Sequence, residues 1–350
     1  MTATVAAWIL LVATAAYACG GGVDYGAGFW DLVAGGTKRG RRPRGLIDDA
    51  MEPVWEVNNV WLIFVFVLMW TGFPVFFETV FSAMWLPLAL AAVGMVLRGA
   101  GFALRKPTHR LAQRRIFGAV FAVASLLTPF FLGAAVGGVA SGRAAPGTTA
   151  SSDVWAGPTS VVAGLLAVAA TAFLGAVFLT ADARRFDAPD MIVYFRRRAW
   201  CGLAAVGVLA LIGLDVTREH TTYVYHGLTH GLGLLLVILS AVAAAATAWL
   251  VAGRFAGWAR FTSVGAVALV IAAWGAAQRP YLIPTSLTVQ QAAGAAGSLH
   301  WLLIVTAIAI VLVGPALVVL YRLDTRGLLE AQTDADVEGG AGGAGRPDAV

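Results

Sequence analysis

Charged residues make up only 12% of this 350-residue sequence, against 59% that are hydrophobic. A soluble domain carries about twice that share of charge, so an ordinary water-soluble fold is excluded. Cysteine is scarcer still: Cys19 and Cys201 stand far apart and form no CxxC or other metal-ligand spacing. No GxGxxG, P-loop, HExxH or GxSxG occurs in the context its chemistry needs, which removes support for nucleotide-binding, zinc-protease and hydrolase readings. Strict apolar/polar alternation is also sparse, so a transmembrane barrel has no pattern to build on.

What the chain does contain is apolar runs of about 20 residues, the length that crosses a bilayer as a helix. Nine spans are expected, at about 4–22, 57–75, 80–103, 116–140, 158–180, 199–216, 229–252, 261–277 and 299–320. The first ends in small residues before Cys19, like a secretion signal, but it lacks a basic leader and is long for one; it reads as a retained helix. From about 333 to 350 the chain is Gly, Ala and Asp without apolar period, and a disordered tail is expected.

The net charge of +5 is distributed by side. With alternating spans, one side receives the clusters Lys38–Arg44, Arg105–Arg115, Arg184–Arg198, Arg254 with Arg260, and Arg322 with Arg326. The other receives Arg143, Arg218 and Arg279. This asymmetry puts the N-terminus outside and the C-terminus in the cytoplasm. Basic residues spread over several short loops, without one aromatic-interleaved patch, also argue against nucleic acid as a partner.

Against this apolar background a few polar groups stand out. PVWEVNNVW opens the second span, and LRGAGFALR closes the third. Ionisable groups at membrane depth cost roughly 2.5–3.5 kcal/mol each and face a partner, a cavity or a proton path. Glu56 falls in the first turn after Pro53, where a helix N-terminus favours an anion. Glu56 and Asn59 share a face, with Glu52 one turn below. Asp24, in GGGVDYGAG, is expected just beyond the first span, and Arg98 about 10 Å before the basic end of the third. Asp24, Glu56 and Arg98 should then gather at the cytoplasmic end of the first bundle. Two readings stay open: a polar port handing protons inward, or a buried ion pair of Arg98 with Glu56 or Asp24 that fixes helix packing.

His226 and His230, four residues apart, are a weak candidate pair for a metal or haem. His109 and His300 read as interfacial. Most of the 12 Trp and 18 Phe read as belts at span ends or as packing between helices.

GGVDYGAG, PVWEVNNVWL, FSAMWLPL…LRGAGFALR, TPFFLGAAVGGVASG and RPYLIPTSLT, in this order, resemble subunit II of cytochrome bd-type quinol oxidases. That resemblance implies an all-α integral membrane protein with two four-helix bundles, about 4–140 and 158–277, plus a peripheral helix at about 299–320, in a single transmembrane domain over 1–322. It implies a bacterial inner-membrane location and a heterodimer with a subunit I that carries haems b and d and the quinol site. It further implies that this chain ligates no haem, meets quinol and oxygen only through the complex and membrane lipid directly, and stabilises the assembly, with a proton path, an oxygen path or a bound structural quinone contributed in some members. Trp55, Arg98 and Asp24 match the family pattern. Where the family reads WDGNE or WDGNQ, this chain reads Trp55-Glu56-Val57-Asn58-Asn59, and Tyr25 replaces a bulky apolar residue. Glu56 is then the expected proton acceptor, Asn58 and Asn59 the relays, and Asp24 and Arg98 the charges that tune it. A non-catalytic scaffold or quinone- and lipid-binding partner of the same fold is the alternative. A small-solute transporter fits less well, because the polar groups crowd the span ends.

Overall fold

The computed structural model describes residues 1–36, 38–51, 55–105, 111–148, 152–253 and 256–325. Within these, the side chains of residues 55–58, 105, 111, 112, 114, 256, 317, 318 and 320–325 lie outside the description. Glu52, His109 and the tail at 333–350 therefore fall outside the described residues.

The elements are α1 (Thr2–Leu32), α2 (Arg41–Met51), α3 (Trp55–Gly72), α4 (Pro74–Ala83), α5 (Trp85–Arg105), α6 (Leu111–Ala140), α7 (Ser152–Trp155), α8 (Pro158–Arg185), α9 (Pro189–His220), α10 (Thr222–Thr229), α11 (Gly231–Ala252) and α12 (Ala256–Gln278). A two-stranded antiparallel hairpin, β1 (Tyr281–Ile283) and β2 (Leu287–Thr288), precedes α13 (Val289–Ala292) and α14 (Ala296–Thr325). Eight of the described helices are long and apolar enough to cross a bilayer, and α3 with α4 makes a further, bent candidate. The chain divides into two compact units, Met1–Leu299 and the part from His300 on; within the second, the described residues continue α14.

The first helix differs from expectation. It does not stop near residue 22 but runs ten residues further, through GGGVDYGAG, to Leu32. Asp24 and Tyr25 therefore lie inside a helix, not beyond one. The glycines that look like a terminator instead permit close helix contact: a Cβ on Gly26 would sit 1.9 Å from the Thr171 carbonyl oxygen of α8, and one on Gly28 would sit 2.1 Å from Ser125 Oγ of α6. In lipid, where a broken backbone finds no water, such residues serve packing and the helix persists.

The second and third spans are also rearranged. α3 ends at Gly72, and α4 leaves it at 117° before α5 begins. Pro74 has no N–H to continue the ladder. Gly72 ends α3, and its carbonyl accepts from Gly294 N at 2.9 Å, just after α13. The apolar stretch at 73–84 thus forms a separate short helix, not the lead-in to a straight span.

Between α1, α2, α5, α6, α8, α9 and α12 lies the principal core, with Trp30, Ile47, Phe102, Phe121, Phe173, Val177 and Phe195 buried. Trp30 Nε1 donates to the Ala172 carbonyl at 2.7 Å, so the indole is both packed and satisfied. The basic segment after α1 is tied down by Arg44, whose Nε lies 2.6 Å from the buried Asp31 carboxylate and whose Nη2 donates to the Gly35 carbonyl.

Candidate functional site

Arg98 on α5 is 4% exposed, which is unusual for a guanidinium. Its position follows from a glycine one turn on. Gly101 lets α5 approach α6 so closely that a Cβ there would meet the Phe117 carbonyl oxygen at 2.9 Å. That approach places the Phe121 ring 5.4 Å from the Arg98 guanidinium carbon, while Tyr25 from α1 presents its ring at 4.8 Å. Two aromatic faces thus replace part of the hydration the cation gave up, an arrangement available to Arg because its charge is planar and weakly hydrated.

Arg98 Nε and Nη2 are buried and make no hydrogen bond among the described residues. Arg98 also lines a chamber of about 200 Å³, together with Tyr25, Asn59, Leu62, Ile63, Met95 and Gly99. At about 30 Å³ per water, that space has room for several. Asp24 is 8% exposed and precedes Tyr25 on α1.

Of the residues singled out from sequence, Asn59 and Arg98 thus share one chamber, and Asp24 is next to its Tyr25 wall. Trp55, Glu56 and Asn58 begin α3, but their side chains lie outside the described residues. The histidine pair is split between elements. His226 is on α10, and His230 caps α11 in an extended conformation before Gly231 at φ +57°. Their ring centroids are 5.7 Å apart, both are exposed, and His230 Nδ1 is 3.1 Å from the His226 carbonyl oxygen. Among the described residues no three His, Cys, Asp or Glu side chains are grouped to hold a metal.

Sequence reasoning missed a second space. A cavity of about 460 Å³ lies between α1, α3, α4, α6, α12 and the β1–β2 hairpin. Trp8, Leu11, Phe66, Phe81, Val136 and Leu282 are among its mainly apolar walls. Two buried polar atoms on its lining residues, Trp274 Nε1 and Gln278 Oε1, have no hydrogen-bond partner among the described residues. One donates and one accepts, and the two residues are one turn apart on α12. Arg279 closes the lining here, stacked 5.5 Å from Trp8. The only sequence signal was a glutamine at the end of an apolar run.

Beyond the spans, the Tyr223 hydroxyl on α10 donates to the Arg279 carbonyl. Burial, reinforced by Tyr281 nearby, holds its pKa above the ordinary phenol value.

Comparison with known proteins adds the following. The profile of the family described as cytochrome bd terminal oxidase subunit II matches residues 2–324. A cytochrome bd ubiquinol oxidase subunit 2 from Bacillus subtilis is 27% identical over 112 residues, 32% of this chain and 32% of the relative. A cytochrome bd-I ubiquinol oxidase subunit 2 from Escherichia coli K12 is 24% identical over 136 residues, 39% of this chain and 35% of the relative. The matched stretches thus span about a third of these relatives. A chain of the bd oxidase structure from Geobacillus thermodenitrificans superposes with a TM-score of 0.76 at 24% identity, covering 92% of this chain and 98% of that one.

Proposed function

The chain belongs to the cytochrome bd terminal oxidase subunit II family, integral proteins of the bacterial cytoplasmic membrane, and from that membership and the Arg98 chamber we propose a specific role. It is the subunit that ligates no haem in a quinol:oxygen oxidoreductase. It pairs with a subunit I bearing haems b and d, and it supplies a route by which cytoplasmic protons enter the complex. The basic loops support the orientation this needs, N-terminus outside and C-terminus inside.

The observation that carries the proton-uptake reading is a chamber wide enough for water with the buried Arg98 and Asn59 both in its lining. A bilayer-embedded cation with two nitrogens that donate to none of the described residues is costly as pure scaffold. In this reading Glu56, one turn before Asn59 on α3, accepts the proton, Asn58 and Asn59 relay it, and Arg98 with Asp24 sets the local potential. Glu56→Gln in the assembled oxidase should slow quinol-dependent oxygen uptake by about tenfold or more while the haem spectrum stays intact. Unchanged turnover in that variant removes the proton-uptake role.

The larger cavity fits a structural quinone. Its volume is in the range of small-molecule sites, its walls suit a hydrocarbon tail, and Trp274 Nε1 and Gln278 Oε1 offer a donor and an acceptor to an oxygenated ring. Those two residues would hold the head group; its contribution would be to brace the bundle. A scaffold without a share in turnover is the competing reading. Purification separates them: the oxidase reading expects a haem-bearing partner with quinol-dependent oxygen uptake to accompany this chain, and the isolated chain to be colourless.

A further inference from the structure

The two cavities adjoin at Leu62 and at a pair of phenols. Tyr17 lines the large cavity, Tyr25 lines the Arg98 chamber, and Leu62 belongs to both. The two tyrosines stand eight residues apart on α1, yet their hydroxyl oxygens are 3.1 Å from each other. Gly21, between them, makes this possible: a Cβ there would press on the Tyr17 ring at 3.1 Å, so the ring lies along the helix where any other residue would crowd it. Both are buried, at 9% and 4% exposure. Tyr17 also reaches Met95 Sδ at 3.8 Å, a weak acceptor.

Hydrogen-bond accounting gives the pair two states. If Tyr25 donates to Tyr17, the Tyr17 proton is left to the thioether or the large cavity. If Tyr17 donates to Tyr25, the Tyr25 proton is left to the chamber. Either oxygen can be the donor, so the bond can reverse without moving a ring. That is the property a proton relay needs.

We propose that the Tyr17–Tyr25 hydroxyl pair is a proton bridge joining the Arg98 chamber to the large cavity, which makes the two spaces one path. The inference rests on the reading that the chamber takes up protons. In one passage, a hydronium in the chamber gives a proton to Tyr25 Oη and is left as water. Tyr25 gives its own proton to Tyr17 Oη, and Tyr17 gives its own to a water that shares the large cavity with the quinone head group proposed there and becomes hydronium. Two O–H bonds break and re-form on the phenols, neither residue ends charged, and one proton has crossed. Gln278 Oε1, buried and without a hydrogen bond from the described residues, is an acceptor on the lining of that cavity. Tyr17 and Tyr25 thus act as relay residues; they touch no reacting centre described here.

The test uses the whole oxidase complex with Tyr17→Phe, Tyr25→Phe, the double variant and Glu56→Gln. Phenylalanine keeps each ring and removes only the hydroxyl. Quinol-dependent oxygen uptake is measured in H2O and D2O, with the haem spectrum as the assembly control. Each single variant is expected to slow turnover by about tenfold or more and to raise the solvent isotope ratio, with the double variant no slower than the slower single, as for links in series. Slowing with an unchanged isotope ratio overturns the bridge and leaves the pair a structural hydrogen bond. Loss in Glu56→Gln with neither phenylalanine variant affected overturns the bridge but leaves uptake at the chamber standing. No loss in any variant removes both. Should Tyr25→Phe fail to assemble, Tyr17→Phe decides alone, because Tyr17 is no part of the Arg98 platform.

Discussion

The guanidinium of Arg98 lies 4.8 Å from the centre of the Tyr25 ring, across the contact between two helices far apart in sequence. Tyr25 therefore has two duties: its face supports a buried cation, and its hydroxyl meets Tyr17. Separating them is the most direct way to probe the site.

Arg98→Lys should be the harmful conservative change. An ammonium cannot stack on Tyr25 and Phe121 together, and it is more strongly hydrated, so the assembled complex should lose about 1–2 kcal/mol of stability. Arg98→Met, similar in volume and uncharged, should melt closer to wild type yet turn over slowly. Thermal melting followed at the haem bands, beside oxygen uptake, checks both. A lysine variant as stable as wild type sinks the stacking account.

Gly26→Ala should prevent assembly. The added Cβ would stand 1.9 Å from a backbone oxygen of α8, and backbone cannot yield as a side-chain tip can. Overpacking of this kind costs about 3 kcal/mol or more. Gly207→Ala on α9, where a Cβ meets nothing within 4 Å, is the matched control and should leave assembly unchanged. Equal yields of the two variants from the membrane would count against the close α1–α8 contact.

Gln278→Leu should reduce the quinone that stays with the complex through purification. Losing one hydrogen bond of roughly 1.4 kcal/mol lowers affinity about tenfold. Solvent extraction and chromatography of the purified complex give the content directly. If it matches wild type, the head group is held elsewhere.

Two ion pairs at the helix ends should behave differently. Asp31, with a side chain 4% exposed, meets Arg44, whereas Arg42 and Asp190 are 69% and 43% exposed. Asp31→Asn should destabilise by about 2 kcal/mol, because it strands a largely buried charge. Arg42→Ala should stay within about 0.5 kcal/mol. The two melting curves, recorded at the same ionic strength, make the comparison.

Much of this architecture was legible because lipid permits so few solutions. Long apolar runs had to be helices, and Glu56, Asn59 and Arg98 stood out because polar groups are rare there. The misreadings have physical causes. GGGVDYGAG looked like the end of α1 because glycine ends helices in water, yet in a bilayer the same residues seat α8 and α6 against α1. The second span was carried through Pro74 to about residue 75, because its apolar run continues there; that α4 turns by 117° after Gly72 was not foreseen. Tyr25 was visible only as a departure from a family pattern. Tyr17, Trp274 and Gln278 were not visible as site residues at all.

By itself, the sequence determined the class of the molecule: an apolar, helical, membrane-embedded chain with a few polar groups in its first spans. Those properties depend on composition and periodicity, which are local. Only the tertiary structure decided that Arg98 lies against the rings of both Tyr25 and Phe121, and that a 3.1 Å hydroxyl contact links the lining of one cavity to that of another. Such features depend on how closely helices approach and how they are rotated. Those are set by glycines and ring shapes at many distant positions together.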